Sequence, residues 1–246
     1  MAQVFANVPV TAAPPLFADR RAAGRLLAAR LRHVLASPES QQAGREPAGA
    51  SPAPAARPLV LALPRGGVPV AREIADALAS PLDVLVTRKI GYPPQPELGV
   101  GAIAEGGGPV YDDEFLRRLG LSRGDLAPVV ARERAELDRR VRVYRGGRPP
   151  PEVADRLVIL VDDGLATGVT ARAALRSLRS RLAGRTVLAI PVAAPSSAAA
   201  MLREANSVVA LALPETFRAV GEWYVSFGQL TDSDVLELLD RDGEAG

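Results

Sequence analysis

The apolar positions of this chain follow two rhythms. Over residues 17–36 they recur with a helical period: Ala23, Leu26, Leu27, Leu31, Val34 and Leu35 share one face. Arg30 interrupts that face, and its long stem lets the charge snorkel to water. His33 lies on the same helix, where a solvated or capping role is expected. From residue 59 the rhythm changes. Short continuous apolar runs, LVLAL (59–63), LDVLV (82–86), LVILV (157–161), TVLAIPV (186–192) and SVVALAL (207–213), predict five buried strands. Helical stretches fall between and around them at 68–79, 112–119, 122–143, 169–182, 196–204 and 232–239. AIAE (102–105) and PVYD (109–112) predict two further short strands, and residues 87–101 read as a long Gly/Pro loop. Apolar strands alternating with helices predict an α/β fold: a three-layer sandwich around a central, mostly parallel sheet of about five strands.

The remaining segments set the domain organisation. Residues 1–16 read as a flexible tail, with Pro14-Pro15 blocking a helix. Residues 37–57 are rich in Pro, Ala and Ser without periodicity and read as an insert within one domain spanning 17–246. There is no internal repeat.

Composition then excludes several chemistries. The chain has 246 residues, 48% of them hydrophobic, enough for a substantial core. Its 30 basic and 28 acidic residues leave a net charge of +2, too small to argue for nucleic acid as a partner. With no cysteine and one histidine, disulfides, cysteine metal sites, multi-histidine zinc sites and a Ser-His-Asp triad fall away. No apolar run approaches a membrane span, so a cytoplasmic location is expected. Lys89 is the single lysine among the 30 basic residues, which marks it as a compact charge suited to a phosphate-type ligand.

The most informative stretch is VILVDDGLATGVT (158–170). A buried strand ends in Asp162-Asp163 and runs into a loop of small residues before a helix. Such a loop offers backbone N–H groups at a helix N-terminus, an anion site to which Thr167 and Thr170 add hydroxyls. Two carboxylates would repel a phosphate they faced directly, but they suit hydroxyl donors or a metal beside it. A ribose diol next to a phosphate meets both demands. A P-loop is excluded, since Gly164 and Gly168 are one residue too close and no lysine follows. A dinucleotide-binding GxGxxG is absent.

This stretch resembles the phosphoribosyl pyrophosphate (PRPP) motif of type I phosphoribosyltransferases. The likeness extends over most of the chain from Phe17 and is strongest to a bacterial group carrying ALPRGGVPVA- and FRAVGEWY-like segments. The resemblance implies that fold, with a small hood and flap. Asp162 and Asp163 would hold the ribose hydroxyls, and Ala166, Thr167, Gly168, Val169 and Thr170 the 5-phosphate. The PRGG turn, with Arg65, Gly66 and Gly67, would receive pyrophosphate and adopt an unusual peptide geometry. Arg88 and Lys89 match the RK of adenine and orotate enzymes and would neutralise the leaving group. Ile90 to Gly101 would be a mobile flap. Glu105 matches a glutamate that adenine enzymes place near the base, an acid-base candidate. Phe217, Trp223, Tyr224 and Phe227 are candidates for a hood over the base; four aromatics fall within residues 217–227 of a chain that is 4% aromatic. Hypoxanthine-guanine enzymes carry an aspartate where this chain has Ala166, which argues against a 6-oxopurine.

The activity implied is Mg2+-assisted transfer of the 5-phosphoribosyl group from PRPP to a nucleobase, in nucleotide salvage. Mg2+ would be held mainly through PRPP, with Asp162 and Asp163 as protein oxygens. The expected partners are PRPP and a base, without nucleic acid or membrane, in a chain that could pair as a homodimer. A regulator of the same fold that binds PRPP or nucleotide without catalysis is the alternative.

Overall fold

The structure is a computed structural model, and it describes residues 3–5, 14–37 and 57–240. The expected insert at 37–57 falls almost wholly outside these residues. A six-stranded sheet forms the centre, in the order β1 (Gln3–Phe5), β9 (Ser207–Ala212), β8 (Arg185–Val192), β7 (Leu157–Val161), β2 (Leu59–Ala62), β3 (Leu82–Val84). Every pairing in it is parallel. Five strands are those expected from the apolar runs. The sixth, β1, arises inside the stretch expected as a tail and pairs Gln3 with Ser207 and Phe5 with Val209 along the edge.

Alternation along the strands builds two cores. Val60, Ala62, Ile159 and Val161 face one side, against α1 (Arg20–Ala36) and α2 (Gly67–Leu78). Leu59, Leu61, Val158 and Leu160 face the other, against α5 (Val169–Ser180) and α6 (Pro195–Met201). A parallel sheet covered on both faces is the three-layer arrangement that its continuous apolar strands require. Among the described residues three more α-helices follow, α3 (Asp113–Arg118), α4 (Ala127–Arg145) and α7 (Asp232–Asp240). Among the described residues no helix is long and apolar enough to cross a membrane.

The segment expected as a loop and flap is ordered differently. Residues 87–104 form an antiparallel hairpin, β4 (Thr87–Tyr92) and β5 (Gln95–Ala104), extended by β6 (Val110–Tyr111). Its glycines serve close approach rather than loop freedom. A Cβ on Gly99 would lie 2.9 Å from the Lys89 Cδ, and one on Gly101 2.7 Å from the Val110 carbonyl oxygen. Register shifts flank Gly91, where the strand bulges. This small sheet packs on the start of α5 through Ala102, Ala104, Val110, Val169 and Ala173.

The strand order fixes where a ligand can sit. From β2 the chain moves through α2 to β3 on one side; from β7 it moves through α5 to β8 on the other. Neighbouring strands whose connections diverge leave a crevice at their carboxyl ends. The loops leaving β2 and β7 are PRGG and DDGLATG.

Candidate functional site

The two loops lock together through an absence of side chains. A Cβ on Gly66 would sit 2.5 Å from the Asp163 Cγ, and one on Gly67 2.6 Å from the Val161 carbonyl oxygen. Only glycine lets the PRGG turn reach the end of β7 this closely. The Pro64–Arg65 peptide in that turn is cis, the kind of unusual geometry anticipated for it.

Asp162 and Asp163 therefore end β7 in a confined space. The Asp163 N–H donates to the Asp162 Oδ1 at 2.9 Å. Burial, reinforced by the neighbouring Asp163 charge, pushes the Asp162 carboxyl well above the usual carboxylate range. Burial also raises Asp163, against a lowering hydrogen bond from Arg20. That arginine opens α1: its Nε donates to the Asp163 Oδ2 at 2.8 Å, and its Nη1 to the Gly228 carbonyl at 2.9 Å. Its guanidinium lies 3.7 Å above the Phe227 ring centre. From the other side the Tyr224 hydroxyl donates to the Asp163 carbonyl at 2.5 Å. Two acids crowded together out of water favour whatever brings positive charge or hydroxyl donors to them.

The loop beyond is pinned at its middle and open at its end. A Cβ on Gly164 would meet the Val220 Cγ2 at 2.8 Å. Leu165 donates to the Val192 carbonyl and accepts from the Ala194 N–H, both at 2.9 Å. Ala166 and Thr167 are exposed, Gly168 and Val169 buried, and Thr170 half-buried. The Ser197 hydroxyl donates to the Ala166 carbonyl. Gly168 turns the chain into α5 at a φ of 73°, and no side chain caps that helix. Its first-turn N–H groups have no intrahelical acceptor, and their dipole favours an anion beside the exposed Thr167.

The expected cations each meet an internal carboxylate. Arg65 Nη1 stands 3.8 Å from the Asp232 Oδ1, and the Tyr144 hydroxyl donates to the same oxygen at 2.6 Å. Burial and that bond push the Tyr144 hydroxyl up to about 12. Arg88 donates from Nε and Nη2 to the Glu133 Oε2, at 2.9 and 2.7 Å. Lys89 donates from Nζ to the Glu97 carbonyl at 2.8 Å and lies 3.7 Å from its carboxylate.

Glu105, Trp223 and Tyr224 make other contacts than those expected of them. Glu105 is not brought to the loop: its carboxylate takes the Nη1 of the buried Arg145, which also donates to the Val84 carbonyl at 2.9 Å. Its carbonyl accepts from Ser177 at 2.5 Å, eight residues and about 12 Å along α5 from Val169. A carboxylate balancing a buried guanidinium has a structural task. Trp223 and Tyr224 are core residues. Trp223 is 1% exposed and stacks on Phe217 at 6.3 Å, while Tyr224 packs between Phe17 and Phe227. Of the four aromatics expected over a base, Phe217 and Phe227 are only half-buried. Arg20 and Glu133 escape sequence reasoning because nothing local distinguishes Arg20 in an arginine-rich helix, or Glu133 in one rich in arginine and glutamate.

Among the described residues no group of three or more His, Cys, Asp or Glu could hold a metal. Asp162 and Asp163 supply two carboxylates. That donor set fits Mg2+, which keeps its waters and takes further oxygens from a phosphate substrate, and does not fit an all-protein metal cage.

The family described as "Phosphoribosyl transferase domain" matches residues 48–210. Two Mycobacterium tuberculosis proteins, "Putative phosphoribosyl transferase MT0597" and "Putative phosphoribosyl transferase Rv0571c", are each 42% identical over 226 residues. The match covers 92% of this chain and 47% of theirs, so the chain spans about half the length of these curated relatives. The crystal structure of TT1426 from Thermus thermophilus is similar with 41% identity and a TM-score of 0.68, covering 91% of this chain and 97% of that one.

Proposed function

Since the chain belongs to the phosphoribosyl transferase family, we propose that it transfers the 5-phosphoribosyl group of PRPP to a ring nitrogen of a nucleobase in salvage. The bond from ribose C1 to the diphosphate oxygen breaks, a C1–N bond forms, and the base gives its N–H proton to solvent. The single observation that carries this reading is the contact of the PRGG turn with Asp163. It joins a turn for the leaving group to a pair of acids for the sugar, beside an uncapped helix end for the 5-phosphate.

Asp162 and Asp163 accept from the ribose hydroxyls and favour the positive charge that develops at the sugar. The N–H groups opening α5, with Thr167 and Thr170, bind the 5-phosphate. The PRGG turn receives the diphosphate through the backbone N–H groups of Arg65 and Gly66, and Arg65, Arg88 and Lys89 meet its growing charge on leaving their carboxylate partners. Asp162 and Asp163 are the residues that would hold Mg2+ beside PRPP, and the ion would supply further neutralisation of the diphosphate. With Ala166 in the loop, no carboxylate is available there for a 6-oxopurine.

The test is pyrophosphate release from PRPP and Mg2+ against a panel of purines and pyrimidines. Release with one base and formation of its 5-phosphoribosyl nucleotide is expected. No release with any base, alongside tight nucleotide binding, would replace the enzyme by a regulator of the same fold.

A further inference from the structure

We infer that Arg20, at the first position of α1, is a positioning residue for the sugar-binding acid Asp163 and ties that acid to the segment that would cover the base. The inference rests on the phosphoribosyl transfer reading of the site and adds to it a residue outside the two loops. Three contacts define the role. The Arg20 Nε donates to the Asp163 Oδ2 at 2.8 Å, its Nη1 donates to the Gly228 carbonyl at 2.9 Å, and its plane covers the Phe227 ring at 3.7 Å. Both partners of the ion pair are largely shielded, with side chains 12% and 14% exposed.

The geometry has a directional consequence. Gly66 closes one side of the Asp163 carboxylate, Tyr224 fixes its backbone carbonyl, and Arg20 occupies Oδ2. The Asp163 Oδ1 takes no bond from Arg20, so it is the oxygen that a ribose hydroxyl would share with the neighbouring Asp162 carboxyl. A guanidinium fixed in its own plane by an aromatic ring and a carbonyl can hold a carboxylate to one rotamer; an ammonium on a flexible stem does so less well. Phe227 and Gly228 belong to the aromatic segment, so a base seated near Phe227 and a ribose seated on Asp163 would meet through one side chain.

Steady-state kinetics and calorimetric binding of PRPP with Mg2+ test this, on wild type and on Arg20→Met, Arg20→Lys and Phe227→Leu. Arg20→Met is expected to raise KM for PRPP by about tenfold, in line with losing one charge-assisted hydrogen bond in a shielded site, with kcat changed far less. Arg20→Lys should recover part of that loss. The inhibition constant of inorganic phosphate should stay at the wild-type value, because the α5 end that binds it does not touch Arg20. Phe227→Leu, which keeps the ion pair and removes the ring, should raise KM for PRPP by about threefold, the scale of one cation–π contact. A rise in the phosphate inhibition constant equal to the rise in KM would reduce Arg20 to general scaffolding and overturn the inference, as would unchanged KM in Arg20→Met. Wild type that binds no PRPP would instead remove the functional reading beneath it. Should Arg20→Met not fold, the Lys and Leu variants decide alone, and wild-type KM in both would overturn the inference.

Discussion

The rim of the sheet is built in two ways. Across the crevice the PRGG turn and the DDGLATG loop meet backbone to carboxylate, so closely that Gly66 and Gly67 have no room for a methyl group. Beside it the β4–β5 hairpin presents Arg88 and Lys89, held by ion pairs and, for Lys89, by one bond to a backbone carbonyl. One of these is half-open: Lys89 is 42% exposed and its partner Glu97 97% exposed. Close packing has few alternative arrangements, whereas an exposed ion pair contributes little and exchanges partners readily. The two loops are thus preformed, and the cations of the hairpin can rearrange around a ligand. Substitutions should divide accordingly: those in the locked loops alter stability as well as substrate use, and those in the hairpin alter substrate use alone.

Gly66→Ala should break the locked side most severely. The added methyl must displace the Asp163 carboxylate or part the two loops, and a loss of at least about 100-fold in kcat/KM, roughly 2.7 kcal/mol, is expected. The melting temperature should fall with it. Gly108→Ala, where a Cβ meets nothing within 4 Å, should leave both near wild type. Equal effects from the two would mean that the loops are not locked.

Asp162→Asn separates function from stability on the same side. Because burial and the Asp163 charge raise the Asp162 carboxyl, the folded state favours its protonated form. That contribution is complete below the ordinary value of 3.8 and is lost as pH rises through the elevated folded value. The asparagine carries no such dependence. The variant should therefore melt higher than wild type at neutral pH, by roughly 2–4 °C for each kcal/mol of relieved charge, and the gain should vanish as pH falls toward 3.8. Its use of PRPP should fall by about tenfold or more as a ribose acceptor is weakened. Thermal melts across pH, paired with kinetics, check both signs; a variant less stable at neutral pH would contradict the buried repulsion.

Much of this arrangement can be read from the chain, for identifiable reasons. Strands buried on both faces leave unbroken apolar runs, so five of six central strands are plain. The loops are legible because small residues after two acids have few structural uses. The edge strand Gln3–Phe5 is too short to carry a period. The hairpin is masked by its own glycines and prolines, which read as a loop because the sequence cannot tell a glycine chosen for freedom from one chosen for close approach. Arg20 is illegible for a different reason. Its partner Asp163 lies 143 residues away, and one arginine among so many carries no mark. Glu105 shows the converse: its match to a glutamate of adenine enzymes implies chemistry, and only the packing of Arg145 against it gives that carboxylate a structural partner.

The hairpin supplies the smaller effects. Lys89→Ala should lower kcat by about tenfold, since a half-exposed cation stabilises a developing charge less than a buried donor would. Its melting temperature should match wild type, because the residue packs into no core. Glu97→Gln should change least. It removes the carboxylate 3.7 Å from Nζ but keeps the carbonyl that accepts from Lys89 at 2.8 Å. The freed ammonium then reaches the pyrophosphate without first leaving an anion, so KM for PRPP should fall by up to about twofold, the value of one exposed ion pair. That gain should shrink as salt is raised, because screening weakens the wild-type pair that the variant lacks. A KM that rises instead would mean that Glu97 aims the lysine, and the hairpin would then be as preformed as the loops across from it.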